Sequence, residues 1–360
     1  MANIRQMQDN DRPRVREIVR RAFPVLVRSS FGFGSHTLVY EEAERVCGGI
    51  VLKMFPLPSG RTGGLVSWIF VDPASHGQGI GTQLLDEGLA LLEANGCTHL
   101  FANIAGDNTA SSRLFASRGF RELSAGALFD TYGLGALGII GKTQHLFDTG
   151  YALWRRPPQP RPQRPSLQLL STFVLHIPVA LLYLMRSVRL SGLEPVMVYR
   201  LSAVIGGLIL LRLAATWGAA RIAGVNLRYR MWESGIPLGM LVSAGFGVIF
   251  PVPGSLYPRE PDWSFRAYSR VLALASVAGI LAVAAAGGIA AFGMQMVEAP
   301  AAVGWLVWVR RASVALLVVD GVLPIYPFDA YAANRVRQYS TPAWVILAAF
   351  SISAALLIAV

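Results

Sequence analysis

Lysine is almost missing from this chain of 360 residues: Lys53 and Lys142 are the only two. The net charge of +11 is therefore carried by arginine. Cysteine is as scarce. Cys47 and Cys97 lack metal-type spacing, and in a domain read as cytosolic they exclude a disulfide framework. Charged residues make up 15% of the chain against 53% hydrophobic, and mean hydropathy is +0.46. Those values exclude an ordinary soluble protein of this length and point to a membrane chain. In such a chain, arginine excess follows from the positive-inside rule, and nucleic acid is not an expected partner. The polar start, Met1 to Asp11, has no signal-peptide pattern.

The apolar excess is uneven. Residues 1–154 read as a soluble α+β domain, 155–165 as an extended, cytoplasmic Pro/Arg-rich linker, and 166–360 as an all-α polytopic membrane domain of about five to six helices. The first domain is organised around the stretch from Val71 to Leu85. There, an apolar run ends at Asp72-Pro73 and a turn with Gly77, Gly79 and Gly81 leads into an amphipathic helix. Glycines at alternate positions let backbone N–H groups close on an anion at a helix start. No Gly-Lys-Ser/Thr follows, which excludes a Walker loop, and a third dinucleotide-type glycine is lacking.

This spacing resembles the acetyl-CoA loop of the GNAT acetyltransferases, Arg/Gln-x-x-Gly-x-Gly/Ala, on His76, Gly79 and Gly81. The run from Asn108 through Ser111 and Phe115 to Gly119-Phe120 is similar to a later motif of that family. The resemblance implies a mixed, mostly antiparallel sheet with flanking helices and acetyl-CoA as acyl donor. It implies that the amides around Gly77, Gln78, Gly79, Ile80, Gly81 and Thr82 hold the pyrophosphate, with His76 in the loop. Val71 would pair with the pantetheine arm, and Asn108 and Phe115 would lie at the cofactor. The family often has Tyr where Phe115 stands, and Phe donates no proton. Tyr132 is a candidate substitute. Glu41, Glu42, His36 and Asp72 are candidate bases, each with a solvated-turn or packing role as the plainer account.

Periodicity places strands at Ile4–Met7, Thr37–Tyr40, Arg45–Met54, Gly63–Val71 and Leu100–Ile104, with a last strand over Phe147–Trp154. Helices are expected over Arg12–Phe23, Thr82–Ala94 and Asn108–Arg118. The apolar stretch Leu134–Ile140 is expected to be a buried strand, with contact to a membrane surface as the alternative.

In the second half, Leu167–Met185, Leu201–Ala220, Val271–Met294 and Ala343–Val360 are long enough to cross a bilayer. Ile236–Val252 suits a re-entrant segment, and Val303–Leu323 contains Arg310-Arg311. Re-entry would put most arginines on the linker's side, with the first domain in the cytosol at the cytoplasmic membrane. This half resembles the site-2 proteases through Arg228 to Gly254 and through Gly321-Val-Leu-Pro-Ile-Tyr-Pro-Phe-Asp329. Where that family carries His-Glu-x-x-His, this chain has Arg212 to Thr216, so no metal is expected and the fold would be proteolytically inactive. An Arg212–Asp329 pair is expected in place of the metal, with Asp320 as the next partner. His176 reads as a packing residue. The combined expectation is a membrane-anchored N-acetyltransferase acting on an amine acceptor. The alternative is an acyl-CoA sensor coupled to a dead protease fold.

Overall fold

The computed structural model describes residues 3–34, 36–58, 60–145, 150–158, 164–188, 192, 194–260, 263–324 and 331–360. The chain forms two compact units. The first takes in Met1–Ile104, Ala110–His145 and Ala152–Arg161; the second takes in Ala105–Thr109, Leu146–Tyr151 and Pro162–Val360.

In the first unit the strands are β1 (Asn3–Gln6), β2 (His36–Glu42), β3 (Arg45–Pro56), β4 (Thr62–Val71), β5 (Cys97–Ala105), β6 (Arg121–Glu122) and β7 (Tyr151–Arg156). They lie side by side in the order β1-β2-β3-β4-β5-β7-β6. The pairs β1–β2, β2–β3, β3–β4 and β6–β7 are antiparallel, and β4–β5 is parallel. The β2–β3 hairpin turns through Ala43 and Glu44, both with positive φ, which matches the twist of the flanking strands.

Helices α1 (Arg12–Ala22), α2 (Val25–Ser29), α3 (Ile80–Ala94), α4 (Thr109–Ala116), α5 (Ala125–Tyr132) and α6 (Ala136–Lys142) accompany this sheet. Helix α1 buries Val15, Ile18 and Val19, spaced to share one helical face. They pack with Val39, Val51 and Phe70. On the other face, Ile80, Leu84, Leu85, Leu89 and Leu92 of α3 pack with Ile50, Val66, Leu100 and Ala102. The strand expected at Leu134–Ile140 is instead a turn of 3-10 helix, Gly133–Gly135, followed by α6. Its apolar residues do not alternate: Ala136 and Ile139 turn inward at helical spacing, while Leu134 is 84% exposed. Of the last expected strand, residues 147–149 lie outside the described residues, Gly150 is in a turn, and β7 takes in Tyr151 to Trp154 and runs on to Arg156.

The second unit is helical: α7 (Pro165–Ser187), α8 (Pro195–Ile222), α9 (Gly235–Phe246), α10 (Phe265–Met296), α11 (Pro300–Gly321), α12 (Ala332–Tyr339) and α13 (Thr341–Ala359). Five of these, α7, α8, α10, α11 and α13, are long and apolar enough to cross a membrane. Helix α9 has 12 residues, ~18 Å at 1.5 Å per residue, too short to cross a ~30 Å core. The extended stretch after it leads to β9 (Ser255–Pro258), which pairs with β8 (Leu227–Arg230). Small residues let the long helices touch. A Cβ on Gly279 would come within 2.5 Å of Thr216 Oγ1, and one on Gly287 within 2.8 Å of Ile358 Cδ1 and Ser313 Cβ.

Two buried ionisable side chains inside this unit, Arg212 and His176, find partners. Arg212 donates through Nε and Nη2 to both carboxylate oxygens of Asp320. The partner expected first, Asp329, lies outside the described residues. His176 meets the Thr172 carbonyl through Nδ1 at 2.6 Å and accepts the Val252 amide at Nε2, 2.9 Å. It is a packing residue with a defined tautomer. Among the described residues, no group of three or more His, Cys, Asp or Glu could hold a metal ion.

Candidate functional site

The site grows from a fault in the sheet. Val51 of β3 stands opposite Trp68, whereas its neighbour Leu52 stands opposite Val66, so Ser67 is an extra residue in β4. Such a bulge bends its strand and increases the local twist. The parallel pairing of β4 with β5 runs from Thr62 and Cys97 to Val66 and Ala102. Past that point the described register pairs β4 only with β3, up to Val71. The edge of β4 from Ser67 to Val71 therefore faces a gap where β5 leaves it. An extended amide-bearing chain could hydrogen-bond to such an edge as a further strand would.

At the end of this edge lies the glycine loop. Asp72, 1% exposed, caps the turn by accepting the Ala74 amide at 3.1 Å. Gly77 and Gly79 have φ of +83° and +76°, which other residues adopt only with strain. A Cβ at either would meet nothing within 4 Å, so the loop is bare on the outside. Gly79 is the N-cap of α3. The amides of Thr82 and Gln83 donate to its carbonyl at 3.0 and 3.1 Å. Those of Gln78, Gly79, Ile80 and Gly81 donate to no backbone carbonyl among the described residues. Four N–H groups at the positive end of a 15-residue helix can accept a pyrophosphate without displacing a bond already made. The fit is to an anion with extended substituents, as acetyl-CoA has. Thr82, named with these amides from the sequence, is engaged elsewhere through its own.

The remaining expected residues are placed as follows. Val71 ends β4, and His76 Nε2 rests 3.3 Å from its carbonyl oxygen, with the imidazole exposed. Phe115 is 4% exposed and meets Phe120 edge-on at 5.1 Å, in the core beneath α3. Asn108 falls in the short segment Ala105–Thr109 that groups with the second unit. Its amide donates to the Ala105 carbonyl at 3.0 Å. Tyr132 packs with the α5–α6 core on the sheet face away from Phe115. Burial raises the pKa of its phenol, and the nearby Arg155 only partly opposes this.

The candidate bases are held by other work. Glu41 pairs with Arg5 at 2.7 Å, which lowers its pKa. Asp72 faces Arg14, Arg21 at 3.5 Å and Arg45 at 3.7 Å. Burial opposes its charge, but the Ala74 amide and the Arg14 and Arg21 guanidiniums outweigh burial and hold its carboxyl below the ordinary range. Glu42 is exposed at the hairpin, opposite Arg45 in the register, and His36 starts β2 opposite Leu52. Two features invisible from the sequence do more: the Ser67 bulge, for which the apolar run of β4 gives no signal, and the Arg14–Asp72 lock between α1 and the loop.

Residues 5–120 match the sequence model of the acetyltransferase (GNAT) family. Among solved structures, the ribosomal-protein-S18-alanine N-acetyltransferase from Escherichia coli is similar at 25% identity, over 34% of this chain and 80% of its own, with a TM-score of 0.30. A GNAT family acetyltransferase from Brucella melitensis, solved with acetyl-CoA, is similar at 25% identity, over 34% of this chain and 83% of its own, with a TM-score of 0.28. Comparison with curated proteins gives no match. The chain thus carries a GNAT acetyltransferase domain at its N-terminus, over residues 5–120, followed by an all-helical region with several apolar helices.

Proposed function

We infer that this protein is a membrane-anchored N-acetyltransferase that takes acetyl from acetyl-CoA to an amine, with the catalytic domain in the cytosol. The observation that carries the reading is the set of open amides from Gln78 to Gly81, beside an unpaired β4 edge. The amides and the α3 dipole would hold the pyrophosphate, and the β4 edge would align the pantetheine arm. Acetyl-CoA supplies a thioester whose departing thiol has an ordinary pKa of ~8.5, a tolerable leaving group without a dedicated acid. The chain's own part is to bind, orient and exclude water. Five apolar helices support the membrane anchorage. The arginines of the Pro/Arg-rich stretch before α7 support a cytosolic side.

A second reading is favoured by Phe115, which leaves the family's usual proton donor out of the site. The domain would then sense acyl-CoA and report to a membrane fold of site-2-protease type that lacks a metal centre. Turnover separates the two. Full-length protein in detergent, given acetyl-CoA and a panel of amines, should release CoA faster than its hydrolytic background. Tight acetyl-CoA binding with no amine-dependent release would favour the sensor.

A further inference from the structure

The two faces of the sheet differ where β4 and β5 part. The Ser67 bulge resets the alternation of β4. Trp68 and Phe70 pack with α1, while Ile69 and Val71 pack with α3. On β5, Asn103 lies two residues beyond Phe101, which packs with α5 and α6. Trp68 and Asn103 thus flank the parting point on one face, opposite α3. Trp68 is half-buried and is met edge-on by Phe23 at 5.2 Å and Phe31 at 5.4 Å. Phe33 continues this wall, 5.3 Å from Phe31, with the Arg12 and Arg16 guanidiniums over its ring at 5.2 and 5.6 Å. Asn103 donates from Nδ2 to the Thr143 carbonyl. Its Oδ1 is buried and has no hydrogen-bond partner among the described residues. A buried acceptor without a donor is costly unless a ligand completes it.

We propose that Trp68, Phe23, Phe31 and Asn103 form the acceptor subsite, and that it takes a primary amine on an apolar or aromatic body. The inference rests on the acyl-transfer reading above. A donor anchored at the Gln78–Gly81 amides and laid along β4 points its thioester toward the parting point. Ile69 and Val71 turn toward α3 on the other face, so an amine held on the Trp68 face reaches the acyl carbon past Trp68. Asn103 Oδ1 accepts one N–H of the neutral amine and turns its lone pair toward the acyl carbon. A C–N bond forms, the C–S bond breaks, and the proton lost by nitrogen ends on the departing sulfur, giving an N-acetyl amide and CoA. The aromatic wall binds the amine's body. At the rim by Phe33, Arg12 pairs with Asp9 and Arg16 adds a positive charge that opposes polycations.

The test is calorimetric titration of amines into full-length protein saturated with CoA, paired with CoA-release kinetics. 2-Phenylethylamine should bind about tenfold or more tightly than ethylamine or spermidine, a gap that ring burial supplies. Trp68→Ala should erase that preference, Trp68→Phe should keep it, and Asn103→Ala should weaken 2-phenylethylamine several-fold. Acetyl-CoA affinity serves as the folding control. If Trp68→Ala loses it, the wild-type panel and Trp68→Phe decide. Equal binding of ethylamine and 2-phenylethylamine, or a preference that survives in folded Trp68→Ala, overturns the subsite. Aromatic preference in binding without CoA release from any amine would sink acyl transfer yet keep the subsite. Release with ethylamine or spermidine as efficient as with 2-phenylethylamine would do the reverse.

Discussion

Arg212 of α8 and Asp320 of α11 meet through two hydrogen bonds, with side chains only 4% and 0% exposed. Asp320 Oδ1 also accepts the Ala332 amide at 2.8 Å, so one carboxylate fastens three segments of the helical unit. Losing one member leaves a buried charge without a partner. Asp320→Ala should therefore cost about 3–5 kcal/mol, and the double variant Arg212→Leu with Asp320→Leu should recover most of it. Thermal midpoints in detergent check this. A double variant no better than the single would show that the charge pair is not what holds these helices.

The glycine loop gives a graded outcome. Gly79→Ala imposes a side chain on a φ of +76°, a strain of about 1 kcal/mol that the free loop relieves by leaving this conformation, which lowers acetyl-CoA affinity by up to roughly fivefold. Gly79→Glu adds a negative charge against the anion and should abolish binding. Calorimetry distinguishes the three proteins. Unaltered affinity in Gly79→Glu would remove the pyrophosphate from this loop.

Phe115→Tyr should raise the rate of amine-dependent CoA release while leaving acetyl-CoA affinity alone, because it adds a proton donor at the position where the family often has one. Single-turnover kinetics read the step directly. An unchanged or lower rate would mean that another group already delivers the proton or that no transfer takes place.

Asp72 makes a pH signature. Its carboxyl is held below the ordinary range in the fold, so the folded state binds this proton less readily than the unfolded one. The resulting stability is fully present above the unfolded value of ~4 and is lost as pH falls through the lowered folded value. Asp72→Asn should lack it. The gap between wild-type and Asp72→Asn melting temperatures should stay constant from pH 7 to about 5 and shrink below. A gap that widens with acid would contradict the arginine lock.

The orientation of the helical unit can be read at Gln338, exposed near the end of α12. In intact cells, Gln338→Cys should react only with membrane-permeant thiol reagents, since the positive-inside reading places this segment in the cytosol. The native Cys47 and Cys97 are buried and give a low background. Labelling by an impermeant reagent would reverse the topology.

The glycine loop, the α3 face and the apolar helices were legible because each rests on local chemistry: turn residues, 3.6-residue spacing and run length. The strands of the first unit, the two-residue β6 apart, were legible to within a few residues for the same reason. Leu134–Ile140 misled because a short apolar run without clear alternation does not distinguish strand from helix. The bulge at Ser67 left no trace, since nothing in Leu65–Val71 marks which residue the partner strand will skip. Arg14–Asp72 and Arg212–Asp320 join residues 58 and 108 positions apart. Periodicity announced neither: Arg14–Asp72 left no trace, whereas Asp320 was named for Arg212, second to Asp329, because an arginine in an apolar run needs a carboxylate.

Ser67 gives β4 something like a reading frame. Before it, Leu65 faces α5 and α6 and Val66 faces α3; after it, Trp68 and Phe70 share the side of Leu65. Deleting this one small residue would set Val66 and Trp68 in succession opposite Leu52 and Val51, so every later side chain would keep its side and the strand would lose only its bend. A regular ladder that took Ser67 in would do the opposite, turning Trp68 and Phe70 beneath α3 and Ile69 and Val71 toward α1. The frame rests on the partner strand skipping Ser67, so the shortest possible deletion here is gentler than a pairing slip.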